Sequence, residues 1–244
     1  MIPTDTAAEP AAPPRGIDLP CEDGLPLGTP WHRDAMNLLL DVIAYHRRGR
    51  DDYFAGGNMF FYYSTRQLRT NDFRGPDVFV VNGADRTRRR ASWVVWEEDG
   101  RVPSVIVELM SESTRQTDLV AKRELYTRTL NVPEYFCVDP TERRVIGWRR
   151  YRASVEPIED EGGRLWCSEL EAYIGWWEGV YRDPPGDWYP RLFDVRGTLV
   201  PTEREAAGSD ALAQSRRAET AEAELTRLRA ELLALRNNTT TPPA

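Results

Sequence analysis

Three short stretches of this 244-residue chain put charged side chains where the pattern calls for apolar ones. In Gly75-Pro76-Asp77-Val78 a carboxylate opens an apolar run. In Val107-Glu108-Leu109 a second carboxylate sits inside SVIVEL, the segment Ser104 to Leu109. In the third, Asp118, Lys122 and Tyr126 stand at i, i+4 and i+8, one face of a helix. Carboxylates are hard oxygen donors of the kind that hold a divalent cation. A Glu among β-branched residues loses its hydration, and only a cation or good hydrogen bonds restore the balance. Plainer roles stay open for each residue taken singly. Asp77 after Pro fits a turn, Asp118 with Lys122 fits a surface ion pair worth a few tenths of a kcal/mol, and Tyr126 fits simple packing.

The lysine is informative by its rarity. The chain has 32 basic residues, and Lys122 is the only one that is not Arg. Lys is a compact point charge whose pKa responds to burial, whereas Arg is a planar fork that stays protonated. Chance retention is one reading of this; the other is that the chain has a use for an ammonium at this one place.

The elements that would carry these groups read as follows. Arg33 to Arg47 is a helix, with Met36, Leu39, Leu40 and Ile43 at helical spacing and Gly49 closing it. Met59 to Ser64 is an aromatic strand, Asp77 to Val81 a short apolar one, and Ser92 to Trp96 another before the Asp99-Gly100 turn. SVIVEL is the clearest buried strand. Thr117 to Leu130 is a helix that ends on Asn131 as a left-handed cap, with Pro133 beyond. Glu134 to Val138, Arg143 to Arg152 and Leu165 to Ser168 are strands, the last two separated by Gly162-Gly163. Trp176, Trp177, Tyr181, Trp188 and Tyr189 fall in an irregular stretch expected to pack over the edge of the core. The sum is an α/β domain.

At the C-terminus, Ala211, Gln214, Ala218, Ala221, Leu225, Leu228, Leu232 and Leu235 alternate steps of three and four, an a/d heptad register. Such a helix forms a two-stranded coiled coil or docks on its own domain; a homodimer through this helix is the expectation. Residues 1–30, rich in Pro, Ala and acids, read as a disordered leader, and 238–244 as a disordered polar tail.

Composition excludes several classes. No apolar run approaches the roughly 18 residues of a membrane helix, so no membrane partner is expected. Met1-Ile2-Pro3-Thr4-Asp5 lacks the basic start and apolar run of a signal peptide. Cys21, Cys137 and Cys167 are odd in number and far apart, which argues against a disulfide framework or zinc site and for the cytoplasm. The net charge of -7 does not favour a nucleic-acid partner. Much of it lies in the two terminal segments, however, which leaves the middle of the chain nearly neutral.

Order and spacing together resemble the PD-(D/E)XK nuclease signature, and more closely the Uma-two family of restriction endonuclease-like proteins. The matching text is Pro76-Asp77-Val78, Val105-Ile-Val-Glu-Leu-Met-Ser111, Ser113-Thr114-Arg115, Asp118, Lys122, Tyr126, Val132-Pro133-Glu134-Tyr135-Phe136 and Val138-Asp139-Pro140. Leu192-Phe193-Asp194 through Thr202-Glu203, followed by a charged Ala/Leu helix, is similar as well. The resemblance spans most of 31–235 and is densest over 76–140. It implies a restriction-endonuclease-like mixed central sheet flanked by helices over 31–203, with a C-terminal coiled-coil helix at 204–237. It implies a metal-dependent endodeoxyribonuclease whose catalytic residues are Asp77, Glu108 and Lys122. Asp77, Glu108 and the carbonyl of Leu109 would hold Mg²⁺ or Mn²⁺, with Asp118 and Tyr126 in support and DNA as partner. Tyr126 would contact a phosphate or pack, and the basic run Arg86 to Arg90 would touch the DNA backbone or form a solvated loop.

This chain departs from the general E-x-K pattern in one respect. Met110 occupies the usual lysine position, and Lys122 on the following helix stands in its place. The supporting acid expected on the first helix is not evident, with Asp34 and Asp41 as candidates. A second class of reading is an inactive nucleic-acid-binding or assembly module that oligomerises through the C-terminal helix. A metal hydrolase of another kind would want histidine ligands, and only His32 and His46 exist.

Overall fold

The computed structural model describes residues 13–15, 19, 28–65, 67, 75–181 and 187–238, the last six by backbone alone. Most of the leader expected over 1–30, Cys21 and nearly all of the polar tail lie outside the described residues. The chain divides into two compact units, Met1–Val200 and Pro201–Ala244.

In the first unit, helix α1 (Pro30–His46) starts on Thr29, whose hydroxyl accepts from His32 N–H, with Pro30 at a first-turn position where no N–H is needed. Its apolar face buries Met36, Leu39 and Ile43. Strands β1 (Tyr53–Gly57), β2 (Phe61–Tyr62), β3 (Val78–Asn82), β4 (Trp93–Val94) and β5 (Val105–Leu109) follow. The chain then crosses the sheet through α2, made of Thr117–Lys122 and Glu124–Thr129 joined at Arg123, and returns in β6 (Glu134–Asp139). Strands β7 (Arg144–Tyr151), β8 (Ser154–Pro157), β9 (Arg164–Cys167), β10 (Ala172–Gly179) and β11 (Asp187–Phe193) complete the unit.

A six-stranded mixed sheet runs in the order β1-β3-β5-β6-β7-β8. β3 pairs antiparallel with β5 (Val78 opposite Val107), while β5 pairs parallel with β6 (Val107 opposite Phe136). Parallel neighbours need a crossover connection, which is the reason α2 lies where it does. All five residues of β5 and all six of β6 are buried, because both faces of this part of the sheet are covered. Alternate side chains divide between two cores. Val78, Val80, Val105, Val107 and Leu109 face α1, whereas Phe79, Val81, Ile106, Met110 and Tyr135 face Tyr126 of α2.

The structure departs from the expected elements in several places. The aromatic strand shrinks to Phe61–Tyr62, and Val95–Glu97 leaves β4 as a 3-10 turn. β1 and β8 are strands that no local pattern announces. Residues 117–129 form a π-type helix with wider turns than the expected α-helix. The stretch expected to be irregular is a hairpin, β10 against β11, with β9 on its other side. Gly175, Gly179 and Pro190 read as loop punctuation, but each has a place in a sheet. Pro190 lies in β11, the edge strand, where a missing N–H is tolerated. At Gly179, a Cβ would stand 1.9 Å from the Trp177 ring. The glycine is there because the indole crosses the backbone. The Asn131 cap is as expected, at φ 58°.

Two points of the leading segment are in contact with the domain. Trp96 Nε1 donates to the Pro14 carbonyl at 3.0 Å, and Leu19 is buried with Phe60, Tyr62 and Val94.

The second unit is a single helix, α3 (Glu203–Asn238), whose 36 residues rise about 54 Å. Thr202 and Glu205 cap it reciprocally: Thr202 Oγ1 accepts from Glu205 N–H, and Glu205 Oε2 accepts from Thr202 N–H. This is a capping box written in the sequence T-x-x-E. No helix among the described residues is long and apolar enough to cross a membrane.

Leu38, fully buried in the α1 core, tests the packing. Leu38→Ala is expected to cost about 2–5 kcal/mol, read from the urea unfolding midpoint at unchanged slope.

Candidate active site

The register of the sheet brings the first two acids together. Val78 pairs with Val107, and continuing that antiparallel ladder by one residue sets Asp77 opposite Glu108. Directly opposed residues of such a pair have Cβ atoms about 4.5–5.5 Å apart. The strand end is further tied by Asp77 itself, whose Oδ2 accepts the Leu109 N–H at 2.7 Å. Both acids share the sheet face of Ile106 and Met110, the face that α2 covers.

Lys122 comes down from α2 onto that face. Its Nζ lies 3.0 Å from Glu108 Oε2 and 2.8 Å from Asp118 Oδ1. Glu108 and Asp118 are buried, while Lys122 keeps 20% of its side chain exposed, so the ammonium is at the mouth of the site. Met110 shows why the lysine has this origin. Met110 follows Glu108 by two residues on the same face and is buried in the core beneath α2. A charge there would be sealed in, whereas one from the helix reaches the same carboxylate with its nitrogen still partly in solvent. Burial opposes the ammonium form of Lys122, but the charges of Glu108 and Asp118 outweigh it and raise its pKa, so it stays protonated. Burial pushes the Glu108 carboxyl well above the usual range, with Lys122 opposing and Asp77 and Asp118 reinforcing the shift.

A second buried glutamate on the neighbouring strand is an internal comparison. Glu134 is also buried, but its two oxygens accept from Arg149 Nε (2.6 Å), Ser168 N–H (3.1 Å), Glu169 N–H (2.9 Å) and Cys167 Sγ (3.0 Å). That carboxylate is satisfied by the protein and staples β6 to the segment after β9. Glu108 Oε1, by contrast, is buried and accepts no hydrogen bond. A buried acceptor left in this state is unfavourable by about 1–3 kcal/mol or more unless something else engages it.

Asp77, Glu108 and Asp118 bring three carboxyl groups to face the Lys122 ammonium and the His32 imidazole. These residues fit a divalent cation: hard oxygen donors and a buried carboxylate oxygen with no hydrogen-bond donor. Among the described residues no group of three or more His, Cys, Asp or Glu side chains is arranged to hold a metal ion.

One neighbour of the site was not anticipated. His32, in the first turn of α1, places Nε2 2.8 Å from Asp77 Oδ1. The hydrogen bond to Asp77 raises the His32 pKa, against the opposing effect of burial. The preceding residue anchors it. Trp31 stacks on Trp176 and Tyr189, and its Nε1 donates to the Trp188 carbonyl at 2.8 Å. His32 thus occupies the first-helix position beside Asp77 for which Asp34 and Asp41 were the candidates. Asp41 instead accepts from the Tyr181 hydroxyl at 2.7 Å, and Asp34 is half-buried on the same helix. The contact joins residues 45 positions apart, and no local pattern signals it.

Two further expectations are narrowed to one of their alternatives. Tyr126 is fully buried, with its ring 5.6 Å from that of Tyr135, so it packs under the site and has no surface for a phosphate. In the Arg86 to Arg90 run, residues 86–89 are exposed and Arg90 anchors the loop. Arg90 pairs with Glu98 at 2.7 Å with its side chain buried, Arg88 lies 3.2 Å from the same Glu98, and Arg86 donates to the Arg50 carbonyl. These arginines fasten a loop.

A mixed sheet with one acid at the start of a strand, a second on the adjacent strand and a lysine from the crossover helix is the layout of a restriction endonuclease-like nuclease domain. A family model described as "Putative restriction endonuclease" (Uma2) matches residues 25–181. The chain belongs to that family. Among solved structures it is similar to "a putative nuclease belonging to DUF820" from Anabaena variabilis ATCC 29413, at 15% identity and a TM-score of 0.44, over 59% of this chain and 76% of that one. No curated protein matches.

The ion-pair arrangement makes a stability prediction. Lys122→Met strands two buried carboxylates and is expected to lower stability by about 3 kcal/mol. Adding Glu108→Gln and Asp118→Asn to it is expected to recover most of that loss. Urea unfolding of the single and triple variants measures both, and additive losses would refute the coupling.

Proposed function

We propose that the chain is a divalent-metal-dependent endonuclease that hydrolyses DNA phosphodiester bonds. The observation that carries this reading is Asp77 opposed to Glu108 across β3 and β5, with the Lys122 ammonium 3.0 Å from Glu108 on the one face they share. The restriction endonuclease description of the family supports DNA as the substrate.

Asp77, Glu108 and the Leu109 carbonyl would hold Mg²⁺ or Mn²⁺. A cation bound there supplies polarisation of the phosphodiester and a lowered pKa for an attacking water. The protein's own groups do the rest. Lys122, held by Asp118, points its ammonium to the partly open side, where it orients the water and opposes the negative charge that builds on the phosphoryl oxygens. His32 and the Leu109 N–H each take one oxygen of Asp77 and hold the carboxylate in a single orientation. The buried face beneath, with Tyr126 and Tyr135, keeps the acids from water on the far side. In the step itself a water oxygen bonds to phosphorus, the bond to one ester oxygen breaks, and that oxygen leaves as a hydroxyl with a proton.

A second reading is a nucleic-acid-binding or assembly module without turnover. It is favoured by the net charge of -7 and by Arg88 and Arg90, which pair with Glu98 of the same domain.

Supercoiled plasmid incubated with Mg²⁺ or Mn²⁺ separates the two. Nicked or linear product is expected and should disappear with a chelator. Glu108→Gln is expected to abolish cutting, and Lys122→Ala to slow it by about a hundredfold or more. Each variant's thermal transition shows whether it is folded. Full cutting by folded Glu108→Gln would sink the assigned roles. Absence of cutting by metal-saturated wild type would favour the second reading.

A further inference from the structure

Helix α3 keeps an apolar stripe open to solvent. Leu225, Leu228 and Leu232 are 53%, 47% and 66% exposed. The heptad register puts Ala211, Ala218, Leu225 and Leu232 at a, and Gln214, Ala221, Leu228 and Leu235 at d. The flanking positions carry the decisive information. Arg217 and Glu224 fall at g, while Glu222 and Arg229 fall at e. In a parallel two-stranded coil, each g residue faces the e residue five positions later in the other strand. Arg217 then meets Glu222 of a second copy, and Glu224 meets Arg229. With the two-fold symmetry that makes four opposite-charge contacts and no like-charge one. Antiparallel alignments that overlap the leucines do worse, since they set Glu224 against Glu224 or Glu231 of the second copy. Gln214 at a core d position adds a reason for register, because its amide is satisfied across the interface by the same residue of an aligned copy.

We propose that α3 pairs with α3 of a second copy of this chain as a parallel, in-register coiled coil, so that the protein is a homodimer. The Leu225 to Leu235 half drives association and the Arg217, Glu222, Glu224 and Arg229 charges select the orientation. The alanines of the other half let the two backbones approach closely. This pairing is independent of whether the catalytic domain cuts.

Light scattering on the full chain at micromolar concentration is expected to give twice the 28.0 kDa chain mass. Leu225→Asp with Leu228→Asp is expected to give the single-chain mass while the catalytic domain keeps its thermal transition. Glu224→Arg alone and Arg229→Glu alone each put like charges together and are expected to weaken the dimer severalfold. An equimolar mixture of those two single variants restores opposite charges across a parallel interface and is expected to recover wild-type affinity as a heterodimer. A wild-type chain that stays at single mass, or an assembly larger than two, would overturn the proposal. A mixture no tighter than its components would overturn the parallel orientation.

Discussion

Glu108 is a fully buried carboxylate. It sits on β5 with both sheet faces covered, at a place where the flanking residues are Val107, Leu109 and, two positions away, Met110. An ionised carboxylate there is strongly disfavoured unless a cation stands close. The geometry of the domain answers that demand. β5 and β6 are parallel, so a crossover is obligatory, and α2 is the crossover. Lys122 is on α2 and reaches Glu108 from above. The topology that buries the acid is the same topology that delivers its counter-charge.

The other parts of the site extend this constraint. A single ammonium is shared by Glu108 and Asp118, while Asp77 opposite Glu108 has the His32 imidazole as its partner. Glu134, on the adjacent strand, shows how this fold treats a buried acid whose role is purely structural. Four donors surround that carboxylate, and one of them is Arg149. Arginine is used in the same way elsewhere, in the Arg90 pair with Glu98 and the Arg115 pair with Asp139. The chain reserves its one lysine for the carboxylate it does not otherwise satisfy. A guanidinium would fill the space with a planar fork and engage Glu108 more completely, whereas the compact ammonium leaves an oxygen open.

Positioning reaches the site from the far side of the sheet as well. Trp31, wedged against Trp176, Tyr189 and the Trp188 carbonyl, fixes the first turn of α1, and His32 follows it in sequence to meet Asp77. The β10–β11 hairpin therefore shapes the site through an aromatic stack, without contributing a charge to it. Asp77 ends up held on both oxygens, by an imidazole from one layer and a backbone N–H from the next strand.

Much of this was legible in the sequence. The acid inside SVIVEL, the lysine four residues after Asp118 and the Asn131 cap are local patterns, and local patterns survive without knowledge of the fold. The family resemblance supplied the mixed central sheet flanked by helices and the link from Asp77 to Glu108 to Lys122. What only tertiary structure decided were pairings between distant residues. His32 meeting Asp77 has no signature in spacing, because it depends on how α1 packs across a sheet. The fate of Tyr126 and of the Arg86 to Arg90 run turned on burial and partners, which residue type alone does not report. The β10–β11 hairpin was hidden by Gly175, Gly179 and Pro190. Those residues mark breaks when read along the chain, and become close ring packing and an edge strand only once the neighbouring elements are in place.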